Sequence, residues 1–427
     1  MKVLMFGWEF PPHISGGLGT ACYGLTKGLS HHRDVDVLFV VPKTYGDEDN
    51  ATAKLIGADQ VEMSLTNKNY EGFFKEIKYL EVNSNLVPYT SPEEYYNIVS
   101  DKKYRGQTLI HTEYRGKLKF TGKYGEGLFQ EIANYAVVAD IIGKQYNFDI
   151  IHAHDWLTFP AGIAAKKASG KKLVIHVHAT DFDRSGGSVN PGVYSIEKAG
   201  MEAADKIIAV SNLTRNTIIH KYGISPDKVE TIYNAVEPVE QKQEFHHKKG
   251  FDDKIVTFLG RVTMQKGPEY FIEAAKKVLH SMENVRFVMA GSGDMLQKMI
   301  ARVAALGISD KFHFTGFLSG DDVYKMFYLS DVYVMPSVSE PFGISPLEAI
   351  QSNVPVIISH QSGVSEILKY AIKVDFWDID GMADAIHGIL NYGGIKKMFN
   401  VYGKAEVENL KWENSASRVK ELYYNVV

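Results

Sequence analysis

The chain has 427 residues, 45% hydrophobic and 23% charged, with 47 Lys and Arg against 51 Asp and Glu. This is ordinary globular composition, long enough for two or three domains, and a formal charge of −4 gives no reason to expect nucleic acid or an anionic membrane as partner. The one cysteine, Cys22, excludes an internal disulfide, argues against a structural zinc site and fits a reducing compartment.

The opening MKVLMFGWEFPP has too short an apolar run for a signal peptide, and no stretch gives the roughly 20 apolar residues of a spanning helix. The expectation is a soluble, cytoplasmic protein. Short Val- and Ile-rich runs then alternate with helical patterns, as in α/β units on parallel sheets. Strands are predicted at Lys2–Phe6, Val35–Val41, Ile150–His152, Leu173–His178, Lys206–Val210 and Val229–Ile232. Leu18–Ser30 and Asn212–Tyr222 read as helices between them. Lys43–Tyr124 shows no βα period, holds nine of the 24 tyrosines and is expected to be a functional insert.

Glu237–Lys254 is polar and reads as a linker. A second strand series follows at Ile255–Leu259, Val285–Ala290, Phe312–Phe314, Val332–Met335, Val354–Ile358 and Ile372–Val374, with helices such as Glu269–Ser281 and Asp380–Leu390. The expected architecture is α/β, two doubly wound domains facing across a cleft, with ligands beyond the carboxyl ends of the strands. The boundaries are 1–237 (insert 43–124), 238–410, and a last helix in 411–427 that crosses back to the first domain.

Four segments carry candidate chemistry. PPHISGGLG follows the first strand and opens a helix, so Gly16 and Gly17 allow a phosphate to approach free N–H groups. Its spacing is not that of a dinucleotide fingerprint, and a plain strand-to-helix turn fits equally well. HAHDW and HVHATDFDR end two strands, which places His154, Asp155 and Arg184 at a ligand-binding rim. A structural histidine is the plain alternative. Metal binding is discounted because no third or fourth ligand is evident at the required spacing.

FLGRVTMQKG puts Arg261 and Lys266 on one loop before a helix starting at Pro268. A guanidinium fork plus an ammonium suits a diphosphate, above all one that gains charge as it leaves. SEPFGISPLEAI carries Glu340 and, eight residues on, Glu348, on a helix starting near Ser345. Each carboxylate could grip vicinal hydroxyls. A glycosidase pair is the alternative, but hydrolysis needs no diphosphate clamp. QSGVSEI adds a glycine turn, read as capped by Ser365 before another helix.

Together these segments resemble the retaining nucleotide-sugar glycosyltransferases of the GT-B fold, and within them the glycogen and starch synthases. GWEFPP…GGLG, HAHDW and RVTMQKG carry the likeness. It implies that Gly16 and Gly17 approach the donor phosphates and that His154 contacts the donor sugar near the reacting carbon. It further implies that Arg261 and Lys266 hold the diphosphate, Glu340 the sugar hydroxyls and Glu348 the ribose. Backbone of Phe342, Gly343, Ile344 and Ser345 would line the sugar and phosphate. The implied activity is transfer of glucose from ADP- or UDP-glucose to the non-reducing end of an α-1,4-glucan, with no metal and no cofactor, the nucleotide-sugar being a substrate.

Two positions depart from bacterial glycogen synthases: Ile14 stands where they carry lysine, and Glu348 is a carboxylate they usually lack. The second feature is closer to sucrose- and lipopolysaccharide-type transferases. Alternatives are therefore another sugar donor with a lipid, lipopolysaccharide or small-molecule acceptor, a nucleotide-sugar epimerase, or a sensor without turnover. The tyrosine-rich insert reads equally as a glucan-facing surface and as a lid or oligomer contact.

Overall fold

A computed structural model describes residues 1–14, 16–48, 51–66, 113–125, 127–238 and 252–427. The chain divides into two compact units. Unit 1 holds Met1–Phe182, Ser188–Ala235 and Trp412–Val427; unit 2 holds Asp183–Gly187 and Val236–Lys411.

In unit 1 the strands are β1 (Lys2–Phe6), β2 (Asp36–Val41), β3 (Lys54–Gly57), β4 (Met63–Thr66), β5 (Glu113–Gly116), β6 (Ile150–His154), β7 (Lys172–Val177), β8 (Lys206–Ala209) and β9 (Val229–Thr231). Seven of them form a parallel sheet in the order β3-β2-β1-β6-β7-β8-β9. Their side chains are almost continuously buried, as expected for strands covered on both faces. β4 and β5 pair antiparallel as a separate two-stranded sheet.

The stretch expected to be one irregular insert is thus partly regular. β3 extends the main sheet through register pairs such as Val40 with Ile56. Its four residues, KLIG, are too short to show a period. Most of the tyrosine-rich segment lies outside the described residues.

The helix Gly17–Ser30 packs along the helix Trp412–Val426. The approach depends on two glycines one turn apart. A Cβ at Gly24 would lie 2.2 Å from Cε2 of Trp412, and one at Gly28 would lie 2.6 Å from the Trp412 carbonyl oxygen. The indole of Trp412 therefore fills a groove that only hydrogen side chains leave open.

Unit 2 repeats the plan. β10 (Lys254–Leu259), β11 (Val285–Ala290), β12 (Phe312–Gly316), β13 (Val332–Met335), β14 (Val356–Ser359) and β15 (Ile372–Val374) form a parallel sheet in the order β12-β11-β10-β13-β14-β15. Its core gathers Val256, Phe258, Phe271, Phe287, Val334, Ile357 and Ile386. The strand order reverses between β10 and β13, as it does between β1 and β6 in unit 1. Loops at such reversals splay apart beyond the carboxyl ends and leave a crevice for a ligand. Among the described residues no helix is long and apolar enough to cross a membrane.

Candidate active site

In unit 2 the loops after β10, β13 and β14 are laced together at the strand-order reversal. Backbone N–H of Val338 donates to the Gln265 carbonyl at 2.9 Å, Glu340 N–H to the Gln361 carbonyl at 2.9 Å, and Gly363 N–H to the Glu340 carbonyl at 2.9 Å. Gly267 makes the first of these joins possible. It sits at φ +66°, and a Cβ there would lie 2.1 Å from the Pro336 carbonyl oxygen. The turn Met264–Lys266 then runs directly into the helix Pro268–Ser281, with Pro at its first position as the sequence suggests.

This framework brings Lys266 and Glu340 together. The Lys266 ammonium contacts Oε2 of Glu340, which also accepts from the Ser337 hydroxyl at 3.3 Å. Glu340 is buried, while Lys266 keeps about a fifth of its side chain exposed. Nη2 of Arg261 donates to Oε1 of Gln265 at 3.3 Å, which holds the guanidinium over the same loop.

Phe342, Gly343 and Ile344 continue from Glu340 into the helix Ser345–Gln351, whose start has no side-chain cap. Gly343 adopts φ +99°. Glu348 lies in the first turn of that helix, and burial raises its carboxyl to about 7. Its charge in turn helps push up the Tyr324 hydroxyl, after burial. Arg261, Lys266, Glu340, the 342–345 backbone and Glu348 thus belong to one set of neighbouring loops.

The turn at Gln361–Ile367 differs from the reading above. Gly363–Glu366 is a single 3-10 turn followed by β15, not the start of a helix. Ser365 lies inside it and donates back to the Ser362 and His360 carbonyls. The segment is too short for helical propagation, and Gly363 and Ser362 are occupied by the pairing with Glu340.

In unit 1, Gly16 is the extended residue before the helix and Gly17 its first residue; both are exposed, and a Cβ at either meets nothing within 4 Å. His154 ends β6 and is fully buried. Asp155 follows at φ +60°, and its Oδ1 accepts from the N–H groups of His178 at 2.7 Å and Ala179 at 3.2 Å. It therefore ties the end of β6 to the end of β7. Trp156 is buried against Phe129. Arg184, in the short helix Asp181–Ser185, belongs to unit 2 and is half-buried.

The sequence reading missed Gln265, Ser337 and Gly267, whose roles depend on which loops meet. It also missed that His152 and His154 on β6 and His176 and His178 at the end of β7 form one stack, with His152, His154 and His176 buried. Burial first, then neighbouring imidazoles, holds His154 and His176 well below the ordinary imidazole range; burial takes His152 and His178 to about 3. Two H-x-H pairs at the ends of adjacent strands were the available signal.

Residues 239–406 match the family described as Glycosyl transferases group 1, and residues 102–240 match Glycosyltransferase Family 4. An uncharacterized glycosyltransferase of Methanocaldococcus jannaschii is 29% identical, over 99% of this chain and 98% of its own. A glycogen synthase of Mycobacterium tuberculosis is 21% identical, over 99% of this chain and 94% of its own. Among solved structures, a sucrose-phosphate synthase from Thermosynechococcus elongatus superimposes with a TM-score of 0.72 at 17% identity, covering 100% of this chain and 98% of the other. That likeness concerns the fold.

Proposed function

We propose that the chain, whose residues 239–406 match the Glycosyl transferases group 1 family, is a glycosyltransferase that transfers glucose, with retention of configuration, from ADP- or UDP-glucose to the non-reducing end of an α-1,4-glucan. The observation that carries the donor half is the convergence of Arg261, Lys266, Glu340 and Glu348 on linked loops at the strand-order reversal of unit 2. Two cations beside two carboxylates match a molecule with a diphosphate and two sets of vicinal hydroxyls.

In this reading Arg261 and Lys266 counter the diphosphate, and do so most strongly as the glycosidic bond to it breaks. The departing phosphate oxygen takes the proton of the attacking acceptor hydroxyl on the same face of the sugar, so no protein nucleophile is needed. Glu340 accepts from sugar hydroxyls and Glu348 from the ribose. The 342–345 backbone lines the sugar and phosphate, and Gly16 and Gly17 leave room for phosphate at the start of their helix. Reaching a donor sugar would require His154 to leave its buried position.

The glucan acceptor is supported by the HAHDW and RVTMQKG segments and by the full-length relation to a glycogen synthase. A second reading, a lipid or small-molecule acceptor, is favoured by Glu348, while Ile14 leaves the choice between ADP- and UDP-glucose open. A donor screen decides between them: ADP- and UDP-glucose, each with glycogen, with maltooligosaccharide and with no acceptor, scored for released nucleotide and chain growth. Chain growth on glucan is expected. Nucleotide release only with a different acceptor would overturn the glucan reading, and an altered sugar nucleotide without acceptor would indicate an epimerase.

A further inference from the structure

Five residues, Asp183–Gly187, pack into unit 2 although the chain on either side of them belongs to unit 1. The loop that presents them is closed at its base, where the Asn190 N–H donates to Oδ2 of Asp181 at 2.5 Å. Its tip turns on two consecutive glycines, Gly186 at φ +61° and Gly187 at φ +98°, a path that residues with a side chain rarely follow.

Two contacts join this strap to the donor loops of unit 2. Oδ1 of Asp183 accepts from the Ser339 hydroxyl at 2.5 Å. Asp183 is 4% exposed, and an acidic side chain is seldom buried so far unless a partner holds it. Ser339 is the residue before Glu340. At the other end of the strap, Gly186 lies against the Met264 side chain: a Cβ there would come 2.9 Å from Sδ and closer still to Cε. Met264 opens the turn that ends in Lys266. The strap therefore touches both of the loops that meet in the Lys266–Glu340 pair.

The main chain is held on either side of Ser339. Val338 N–H donates to the Gln265 carbonyl at 2.9 Å and Glu340 N–H to the Gln361 carbonyl at 2.9 Å, while Ser339 N–H comes only to 3.5 Å from the Gln265 carbonyl. The hydroxyl bond to Asp183 supplies an anchor at the residue between. We propose that Asp183 is a positioning residue for transfer: through Ser339 it sets the place of Glu340, while the glycine turn braces Met264, so that the strap fixes Lys266 and Glu340 relative to each other. The proposal rests on the donor roles given to that pair. Asp183 acts through Ser339 and not on the donor itself. Small displacements of groups that meet a reacting molecule are costly, about 10²-fold for 1 Å.

The test measures nucleotide release from UDP-glucose and from ADP-glucose, with glycogen, in the full-length protein. Asp183→Ala should lower kcat roughly 10- to 100-fold, with a smaller change in donor KM. A role in folding alone would change the amount of active protein and not kcat per folded chain. Ser339→Ala should match Asp183→Ala, and combining the two should add little. Asp183→Ala should also add little in a Lys266→Ala background, because the strap works through that pair. Hydrogen exchange should quicken in peptides spanning 258–267 and 336–345 of both single variants, and not in one spanning 285–290. Parental kcat in Asp183→Ala beside a collapsed Lys266→Ala overturns the strap and leaves the donor reading standing. No turnover of either donor by the parent protein, or parental kcat in Lys266→Ala, overturns the donor reading and the strap's role with it. Should Asp183→Ala fail to fold, parental kcat and exchange in Ser339→Ala overturn the proposal instead.

Discussion

The ammonium of Lys266 rests on the carboxylate of Glu340, so the one contact joins the loop after β10 to the loop after β13. A donor diphosphate would compete with Glu340 for Lys266, and donor hydroxyls would compete with Lys266 for Glu340. Lys266→Ala should lower kcat by about 10²–10³-fold, the scale of removing one donor from developing charge. Steady-state kinetics with thermal unfolding as control provides the check; a near-normal kcat would remove Lys266 from the diphosphate role.

Glu340→Gln keeps the shape but gives up the charge. Donor turnover should fall with every acceptor, because the contact lies on the donor side. Since the two residues touch, the double variant with Lys266→Ala should lose much less than the product of the single losses. An effect of Glu340→Gln confined to one acceptor would contradict donor binding.

Glu348 makes a pH signature. Burial raises its carboxyl from 4.5 to about 7, so between these values the folded chain holds a proton that the unfolded chain has lost. Its stabilising contribution is therefore full below about pH 4.5 and lost as pH rises through about 7. Donor binding runs the other way, because the ionised form accepts hydroxyl bonds better. The donor KM should fall as pH rises through 7, and Glu348→Gln should flatten that dependence. An unchanged profile in Glu348→Gln would exclude the residue from ribose binding.

Gly267→Ala tests the geometry behind the cation. The position needs φ +66° and has the Pro336 carbonyl where a Cβ would stand. The substitution should displace the turn carrying Lys266 and reduce kcat/KM by at least tenfold, more than its effect on unfolding explains. Activity equal to the parent would mean that the turn tolerates the shift.

Gly24→Ala places a methyl group 2.2 Å from the Trp412 ring. Overpacking of this kind should cost about 1–3 kcal/mol in urea unfolding. A Trp412→Ala partner variant should relieve the clash while opening a cavity of its own, so the two effects should not add.

The sheets were readable because parallel strands buried on both faces are continuous apolar runs: Val285–Ala290 and Val332–Met335 fall on the predicted bounds. The helix at Ser345 was readable from Pro346 and the apolar spacing after it. Charge and residue type marked Arg261, Lys266, Glu340 and Glu348, and the fold sets them on neighbouring loops and a helix start of unit 2. What the sequence did not show is adjacency across sheet order. Gln265 meets Val338 only because β10 neighbours β13, and His154 meets His176 only because β6 neighbours β7. The short β3 carries too few residues to announce itself, and Ser365 has a capping residue's chemistry without a helix to cap.

The groove at Gly24 and Gly28 also sets an order of events during synthesis. A ribosome releases the strands of unit 1, then Val236–Lys411 of unit 2, and only afterwards Trp412 and Tyr423. Until then the first unit waits with an apolar furrow uncovered and His152 without its hydroxyl partner. Unit 2 is a single stretch from Val236 to Lys411 apart from five residues and can complete its core first. Maturation of the protein is thus inverted with respect to its reading direction: the half begun first is the half finished last.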